Sequence, residues 1–286
     1  MQISQRSYHH ILNFLSDSLY DTRAANFWLK KINPLWSTDE VLGQIVEKRP
    51  LAQDMMAIII RCRSNMQQGQ AGQHHPVVIE IDGRRYERSY SLTLLDVQHV
   101  QINVKKVPTG IVSTWLHEQA KIGDIIRFGQ PYGDVTLENF QSKNLILLAA
   151  GSGITPIFSV LHHLHQQGQF SQYNICLYYW AKQHADFAFK AVFEDWQQQN
   201  PHFNVHFLCT QQQPKHARLN EHILNNFDHV ENSSVFACGP SGFTQHAASV
   251  FKHAQQLQTE AFSLSPVTYD QQATVNITLT KSKQTL

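Results

Sequence analysis

The chain has 286 residues, enough for two ordinary domains that each bury a core. Apolar residues make up 42% of it and charged residues 16%, a composition typical of globular proteins. With 23 basic and 22 acidic residues, the sequence lacks the basic excess typical of nucleic-acid-binding proteins, so we expect no nucleic-acid partner.

The four cysteines, Cys62, Cys176, Cys209 and Cys238, stand far apart in the sequence. None has the spacing of a zinc site or of a plant-type iron–sulfur cluster, so the sequence predicts no metal site and no [2Fe-2S] cluster encoded in this chain. Scattered cysteines, no recognisable secretion signal and no run of 18 apolar residues predict a cytoplasmic protein without a membrane span.

Residues 1–36 are predicted to form a helical N-terminal extension. Apolar residues recur there at helical spacing, and the second helical stretch ends just before Pro34, because the residue before a proline disfavours helix. The large side chains of Phe27, Trp28 and Trp36 are expected to anchor this extension on the body of the protein.

Residues 37–141 contain short alternating segments. Five strands are predicted, at VLGQIVEKR, MMAIIIRCR, HPVVIEIDG, RRYERSYSLT and HVQINVKKV. The Asp82-Gly83 pair between two of them predicts a hairpin turn. One helix, VSTWLHEQA, interrupts the strands, and the mixture predicts a small antiparallel β-barrel.

Residues 142–262 change to alternating strands and helices. Continuous apolar strands are predicted at NLILLAA, NICLYYW, NVHFLCT and SVFACGP, and the last two helices at ARLNEHILNNF and SGFTQHAASVFKHAQQL. Because such strands are buried on both faces, the pattern predicts a parallel, Rossmann-like α/β domain. Residues 263–286 form a tail with one strand-like run, TVNITLT.

The first predicted strand of this α/β region runs directly into Gly151-Ser152-Gly153, and Pro156 follows in the first turn of a helix. Glycines let the backbone approach a pyrophosphate closely, and the helix N-terminus offers free N–H groups. The pattern departs from GxGxxG, and the next strand ends in Tyr-Trp-Ala-Lys without the acidic residue of standard dehydrogenases. An ordinary strand-to-helix turn therefore remains an alternative.

Two segments of the barrel region have suitable chemistry for a phosphate and a flat heterocycle. In RSYS, residues 88–91, arginine can clamp a phosphate, tyrosine can stack and serine can form hydrogen bonds. In GIVS, residues 110–113, N–H groups at a helix start can hold a phosphate, and Ser113 or Thr114 can cap the helix or hold a phosphate oxygen. Each segment alone is also compatible with strand surface or an ordinary N-cap.

Cys238-Gly239-Pro240 ends the last strand predicted in the parallel sheet. Ligands bind at the carboxyl edge of such sheets, so Cys238 is expected to face the same crevice as the Gly151 turn. A small buried residue before a turn is the alternative.

Taken together and in this order, these segments resemble the signature of the ferredoxin–NADP reductase superfamily. RSYS at 88–91 is similar to its R-x-Y-S motif, and GIVS at 110–113 to its G-x-x-S helix start. GSGITP at 151–156 is similar to G-x-G-x-x-P, and CGP at 238–240 to C-G-P. The resemblance covers roughly residues 38–262 and implies an FAD-binding barrel domain at 37–141 followed by an NAD(P)-binding domain at 142–262.

The resemblance implies a role for each matching residue. Arg88 would bind the flavin diphosphate, and Tyr90 would stack on the isoalloxazine beside Ser91. Together, the residues expected to bind the cofactors FAD and NADPH (or NADH) are Arg88, Ser89, Tyr90, Ser91, Val104, Lys105, Gly110, Val112, Ser113, Thr114, Gly151, Gly153, Thr155, Pro156, Lys182, Arg218, Gly239 and Pro240. Those expected to take part in catalysis are Tyr90, Ser91, Cys238 and Phe262, the last within a Glu260-Ala-Phe262 motif.

The implied function is electron transfer from NAD(P)H through FAD to an iron–sulfur carrier, such as a ferredoxin acting in trans. The tail ATVNITLTKSKQTL resembles the first hairpin of a plant-type ferredoxin domain without its cluster cysteines. NFWLKKINPLW resembles bacterial reductases that supply fatty-acid desaturases. The expectation is a shortened or split member of that subset, with a membrane desaturase system as a candidate partner.

The choice between NADPH and NADH depends on the groups that face the adenosine ribose. A 2′-phosphate needs cationic partners, for which Lys182 and Arg218 are candidates, whereas a ribose diol prefers a carboxylate such as Asp186. The balance favours NADPH.

Two other functions stay open. A flavin-free NAD(P) dehydrogenase with an accessory barrel would leave RSYS and GIVS without a role. A non-enzymatic regulatory or nucleotide-sensing protein would keep the fold without turnover.

Overall fold

The computed structural model describes residues 22–63, 66–211, 218–227, 229–262, 278–279 and 284–285. These residues form a closed six-stranded barrel followed by a five-stranded parallel sheet with helices. The predicted fold class, an antiparallel β-barrel followed by a Rossmann-like domain, is confirmed.

Helix α1 (Thr22–Ile32) precedes the barrel and ends before Pro34, as the sequence predicts. Phe27 and Trp28 do not anchor it, because 56% and 67% of their surfaces are exposed. The helix is held instead by Asn26, whose side-chain amide donates a hydrogen bond of 2.5 Å to Asp39. The preceding part of the predicted extension lies outside the described residues.

Six antiparallel strands close the barrel in the order β1-β2-β5-β4-β3-β6. Their bounds, with the helix that lies between β5 and β6, are β1 Val41–Ala52, β2 Met55–Cys62, β3 His74–Ile81, β4 Arg84–Leu94, β5 His99–Lys105, α2 Ile111–Glu118 and β6 Ile125–Phe128. Inward side chains such as Ile45, Ile58 and Ile102 form its apolar core. Asp82 and Gly83 form the predicted turn between β3 and β4, with φ values of 50° and 74° that suit a tight hairpin.

The parallel sheet has the strand order β11-β10-β7-β8-β9. Its elements are β7 Asn144–Ala150, α3 Ile154–Gln166, β8 Asn174–Ala181, α4 Lys190–Gln199, β9 Phe203–Cys209, β10 Ser234–Gly239, α5 Ser241–Val250 and β11 Gln256–Ala261. Along β7, Leu145 and Leu147 pack into one apolar cluster while Ile146 and Leu148 pack into another. The sheet is therefore buried on both faces, as its continuous apolar strands predict.

Two predicted helices of this domain differ from the structure. The described part of ARLNEHILNNF contains a 3-10 turn at Glu221–Asn226, which begins at Asn220, whose side chain accepts a hydrogen bond from the His222 N–H. The other predicted helix ends at Val250, and the chain then forms β11, a fifth parallel strand. Because β11 has the polar sequence QLQTEA, it lacks the apolar run by which the other strands are recognised.

The barrel and the sheet contact each other on two sides of a crevice. On one side, the Ser159 hydroxyl of α3 donates a 2.6 Å hydrogen bond to the Leu92 carbonyl of β4. On the other, the Gln53 N–H donates to the Ala185 carbonyl at 2.9 Å. The carboxyl edge of the sheet consequently faces strands β4 and β5 across the crevice.

In the tail, Thr278–Leu279 pairs antiparallel with Gln284–Thr285, and the rest of the predicted TVNITLT strand lies outside the described residues. No helix within the described part of the chain has both the length and the apolar character needed to cross a membrane.

Candidate functional site

Two adjoining cavities occupy the crevice between barrel and sheet. The first has a volume of about 720 Å³ and lies between β4, β5, the start of α2 and the ends of the sheet strands. The second, of about 370 Å³, opens at the carboxyl edge of the sheet. Lys105, Ser152 and Phe262 line both cavities, so a ligand in one would adjoin a ligand in the other.

Most of the residues predicted to bind cofactors or to take part in catalysis line these cavities. Those lining the first are Arg88, Ser89, Tyr90, Ser91, Lys105, Gly110, Val112, Ser113, Thr155 and Phe262. Those lining the second are Lys105, Gly151, Lys182, Pro240 and Phe262. Those that line neither are Val104, Thr114, Gly153, Pro156, Arg218, Cys238 and Gly239.

The RSYS segment lies on β4 at the wall of the first cavity. Arg88 is exposed, and its guanidinium donates a 2.6 Å hydrogen bond to the neighbouring Glu87 carbonyl, so the charged group is free to meet a second acceptor. Burial raises the pKa of the Tyr90 phenol to about 12, which keeps it neutral at physiological pH. The Ser91 hydroxyl lies 2.9 Å from Nδ1 of the buried His74 ring.

Helix α2 presents an open N-terminus to the same cavity. The Thr114 N–H makes the first backbone bond, to the Gly110 carbonyl at 3.0 Å, so the N–H groups of residues 111–113 precede the helical ladder. Of the two roles predicted for Ser113 or Thr114, capping the helix is wrong, since α2 has no side-chain cap, whereas holding a phosphate oxygen stays a prediction. The Ser113 hydroxyl instead accepts from the Val107 N–H at 3.1 Å. The helix N-terminus is therefore available to an anionic group from outside the chain.

Two further features of the first cavity suit a nucleotide. Asn103 on β5 is buried, and its Nδ2 has no hydrogen-bond partner although its Oδ1 accepts from Gln101 at 2.7 Å. A buried amide donor without a partner is costly, and a ligand acceptor in the cavity would satisfy it. At Gly110, an added Cβ would lie 2.6 Å from the Ser113 hydroxyl, so a larger residue would displace that hydroxyl from its contact with the Val107 N–H. These residues fit a flavin dinucleotide.

The Gly151-Ser152-Gly153 turn follows β7 and leads into α3. Gly151 has φ +57°, a left-handed conformation that favours glycine, and it lines the second cavity. A Cβ at Gly153 would overlap the backbone carbonyl of Cys238 at the end of β10. The two central strands of the sheet thus approach closely where the strand order reverses, the position at which α/β sheets bind dinucleotides.

A lysine stands between the two cavities. Lys105, at the end of β5, forms an ion pair with Asp54 at 3.0 Å. Its Nζ lies 3.5 Å from the position that a Cβ would take at Gly151. The barrel therefore supplies a cation next to the glycine turn of the sheet.

The residues expected to bind the adenosine ribose or its 2′-phosphate do not all lie at the second cavity. Lys182 is exposed, follows β8 and lines the second cavity. Asp186 is engaged within its own turn, where Oδ2 accepts from the Gln183 N–H at 3.3 Å and Oδ1 lies 3.4 Å from the Gln183 amide. Arg218 is exposed but lines neither cavity.

Cys238 does not face the crevice as expected, because it is fully buried at the end of β10. Its Sγ lies 3.9 Å from Oε2 of Glu260 on the neighbouring strand. Burial, together with the Glu260 carboxylate, raises the pKa of the Cys238 thiol well above its usual range. The thiol is therefore protonated at physiological pH.

Several residues that line the first cavity were not predicted as site residues from the sequence, among them His74, Asn103 and Tyr132. Their positions depend on contacts between distant segments: the backbone of Tyr132 pairs with His74 through two hydrogen bonds of 2.9 Å. The GQHHP sequence offers one local signal, since two histidines at the start of an otherwise apolar strand are unusual in a barrel core.

Comparison with known proteins matches the barrel region and the sheet region of the chain to one family each. Residues 43–137 match the family described as "Oxidoreductase FAD-binding domain", and residues 147–249 match "Oxidoreductase NAD-binding domain". Barrel, sheet and site thus define a flavin- and nicotinamide-dependent oxidoreductase.

The chain belongs to the ferredoxin–NADP reductase superfamily, and its cofactors are FAD and a nicotinamide dinucleotide. It is 30% identical over 248 residues to an NADPH oxidoreductase of Mycobacterium tuberculosis, covering 83% of this chain and 64% of that protein. It is 25% identical over 223 residues to a flavohemoprotein of Halalkalibacterium halodurans, covering 67% of this chain and 51% of that protein. The chain therefore spans less than two thirds of the length of either curated relative.

The fold is also that of a solved structure, the FAD/NAD binding domain of nitric oxide dioxygenase from Vibrio cholerae O1 biovar El Tor. The TM-score is 0.69 at 20% identity, with 78% of this chain and 99% of that chain covered. At this identity, the likeness shows the fold alone.

Proposed function

We propose that this chain passes electrons from NADPH through FAD to an iron–sulfur carrier of the ferredoxin type. The observation that carries the proposal is that the two cavities share Lys105, Ser152 and Phe262 as lining residues. A flavin in the first cavity and a nicotinamide in the second would adjoin at these side chains.

Each side of the first cavity has a distinct task in this proposal. Arg88 and the open N-terminus of α2 supply positive charge for the flavin diphosphate, and Asn103 donates to an acceptor on the flavin. Tyr90, neutral and half-buried, offers a flat surface for stacking. FAD, when bound, supplies the chemistry of accepting a hydride and releasing electrons singly.

The second cavity is proposed to bind the nicotinamide nucleotide. The Gly151 turn would face the pyrophosphate, with Lys105 contributing charge from the barrel side. Phe262 is 43% exposed at the junction of the cavities, where its ring would lie against the flavin. Cys238, buried beside Glu260, would support the end of β10 at this junction.

NADPH is the proposed donor because of the charges around the second cavity. Lys182 lines it and is exposed, so its ammonium can meet a 2′-phosphate. The carboxylate of Asp186 is already hydrogen-bonded within its own turn, which weakens it as a partner for the ribose diol of NADH. The matched relative from Mycobacterium tuberculosis is named as an NADPH oxidoreductase, which supports the same choice.

The proposed acceptor rests on the resemblance of the tail to the first hairpin of a plant-type ferredoxin domain. The proposed setting rests on the resemblance of NFWLKKINPLW to reductases that supply fatty-acid desaturases. We place the flavin domain at 37–141 and the nucleotide domain at 142–262, and the two family matches fall inside these limits. The chain would act in the cytoplasm and meet its carrier in trans.

The acceptor can be tested by mixing FAD-loaded protein, NADPH and a purified [2Fe-2S] ferredoxin, and following bleaching of the ferredoxin band. We expect reduction that requires both FAD and NADPH. Rapid flavin reduction without any ferredoxin reduction would contradict the acceptor assignment. NADPH oxidation that needs no FAD would favour a flavin-free dehydrogenase, and nucleotide binding without turnover would favour a sensing protein.

A further inference from the structure

A buried histidine joins the barrel to the sheet at the wall of the first cavity. His74 begins β3, and only 7% of its surface is exposed. Its Nδ1 lies 2.9 Å from the Ser91 hydroxyl on β4, and its Nε2 contacts Oε1 of Glu260 on β11. One imidazole therefore links the two domains of the molecule.

The position of this ring is set by its surroundings. The backbone of His74 is paired with Tyr132 in both directions, and the ring packs edge-on against Tyr132 at 5.7 Å and against Phe262 at 6.1 Å. Because both ring nitrogens already have partners, rotation of the imidazole would break two polar contacts at once.

Both partners of His74 face the cavity that the proposed function assigns to the flavin. Ser91 and Glu260 line it, as His74 itself does. The carboxylate of Glu260 can only accept hydrogen bonds when ionised, so Nε2 must carry its proton in that pair. In a neutral imidazole, Nδ1 is then an acceptor, and the Ser91 hydroxyl points its hydrogen at His74 and its lone pairs elsewhere.

The second oxygen of Glu260 is also held. Oε2 lies 3.9 Å from the buried thiol of Cys238, whose pKa is raised by burial and by this carboxylate. Glu260 is thus fixed from the sheet side by Cys238 and from the barrel side by His74. The same chain of contacts runs from β4 through β3 to β11 and β10.

We propose that His74 is a positioning residue for flavin reduction, which orients the Ser91 hydroxyl and the Glu260 carboxylate. Through these two contacts, it also fixes the position of the barrel relative to the sheet at the cavity. The inference rests on the proposed function for the flavin step. Its structural half, the coupling of His74 to Glu260, is independent of any bound cofactor.

The structural half is tested on the FAD-free full chain by urea unfolding. His74→Phe keeps an aromatic ring and removes both polar contacts, and Glu260→Gln keeps the shape and removes the charge. We expect the double variant to shift the unfolding midpoint by less than the sum of the two single shifts. Additive shifts would contradict the coupling.

A matched control is His75→Phe, which removes a neighbouring buried imidazole of β3. The His75 ring contacts the backbone carbonyls of Gln68 and Gly129 and does not line the cavity. Its midpoint shift should add to that of Glu260→Gln, because the two side chains share no described contact. Non-additivity equal to that of His74→Phe would contradict a specific role for His74.

The functional half is tested by stopped-flow bleaching of bound FAD at saturating NADPH. We expect His74→Phe to slow the reduction rate by about tenfold or more, with the FAD dissociation constant changed less than threefold, and His75→Phe to leave both near wild type. If His74→Phe does not fold, the reduction rate and the FAD dissociation constant of Glu260→Gln and His74→Asn are compared with those of His75→Phe instead.

The outcomes separate the two proposals. Bleaching of the His74→Phe variant at the wild-type rate would overturn the positioning role and leave the proposed function intact. A wild-type chain that holds FAD but is not bleached by NADPH or NADH would overturn the proposed function, whatever the unfolding data show for His74.

Discussion

The chemistry proposed at residue level depends on a few charges placed around the two cavities. Arg88 and Arg85 lie three residues apart on β4 and are both exposed, but only Arg88 lines the first cavity. We expect Arg88→Ala to weaken FAD binding by roughly 10- to 100-fold, since a charge-assisted hydrogen bond contributes about 1.5–3 kcal/mol. Fluorescence titration with FAD measures the change.

Arg85→Ala is the matched control for this substitution. The Arg85 guanidinium pairs with Glu80 at 3.6 Å on the surface of the barrel, a type of contact that contributes little. Its FAD affinity should equal that of the wild type, and equal losses for Arg85→Ala and Arg88→Ala would contradict the assignment of Arg88 to the diphosphate.

Selectivity for the nicotinamide nucleotide is the second residue-level prediction. Lys182→Ala, which removes the ammonium group, should raise KM for NADPH several-fold more than KM for NADH, because only NADPH carries the 2′-phosphate. Arg218→Ala tests the second candidate in the same way, although Arg218 lines neither cavity. Steady-state kinetics with both nucleotides gives the ratio, and Lys252→Ala, an exposed lysine away from both cavities, serves as control. Equal effects on both nucleotides would end the assignment of Lys182.

The sequence predicts individual site residues where a short motif carries the chemistry, as at Arg88, Tyr90 and Gly151. It does not predict His74 or Asn103. His74 acquires its partner only when β3 meets a strand 186 residues further on, and no local pattern encodes that contact. The sequence predicts free N–H groups at the start of α2, but the predicted side-chain cap is absent, because the Ser113 hydroxyl accepts from the Val107 N–H in the loop before the helix.

At the scale of elements, the glycine turn between β7 and α3 carries the sharpest prediction. Gly153→Ala places a Cβ against the carbonyl of Cys238, and backbone cannot move aside as a flexible side chain can. Overpacking of this kind costs about 1–3 kcal/mol, so we expect a lower melting temperature and weaker NADPH binding.

Gly242→Ala, in helix α5, is the matched glycine control. A Cβ there would meet nothing within 4 Å, and alanine is favoured over glycine in a helix by up to about 1 kcal/mol. The variant should melt at or above the wild-type temperature with unchanged NADPH binding. A Gly153→Ala chain that behaves like Gly242→Ala would contradict the close approach of β7 and β10.

Elements with a clear apolar period were predictable, and those without it were not. The strands β7, β8 and β10 are continuous apolar runs and were predicted in place. Strand β11 is polar and half-exposed at the sheet edge, so its sequence reads as the end of a helix. The segment around Glu221–Asn226 has helical spacing, yet it forms only a 3-10 turn.

At the scale of the whole molecule, two cysteine thiols, one in each domain, predict how the free energy of unfolding depends on pH. Burial raises the pKa of the Cys62 thiol in the barrel and of the Cys176 thiol in the sheet to about 12. In the unfolded chain, both thiols lose their protons near pH 8.5, whereas the folded chain keeps them. Stability is therefore complete below that pH and falls as pH rises towards 12, by about 1.4 kcal/mol per pH unit for each thiol.

Urea midpoints measured between pH 8 and 11 test this dependence. The wild-type midpoint should fall steadily, and Cys62→Ala should show a shallower fall because one of the titrating groups is gone. A midpoint that stays constant from pH 9 to 11 would contradict the burial of these thiols.

Electron transfer from the nicotinamide to the flavin requires both domains, because residues of the barrel and of the sheet together line the two cavities. Anaerobic mixing of FAD-loaded protein with NADPH, followed by absorbance of the flavin band, tests the central claim most directly. We predict that NADPH bleaches the bound flavin, and that Arg88→Ala gives a smaller signal at the same FAD concentration because it binds less FAD. A protein that takes up no FAD, or whose bound FAD neither NADPH nor NADH bleaches, would contradict it.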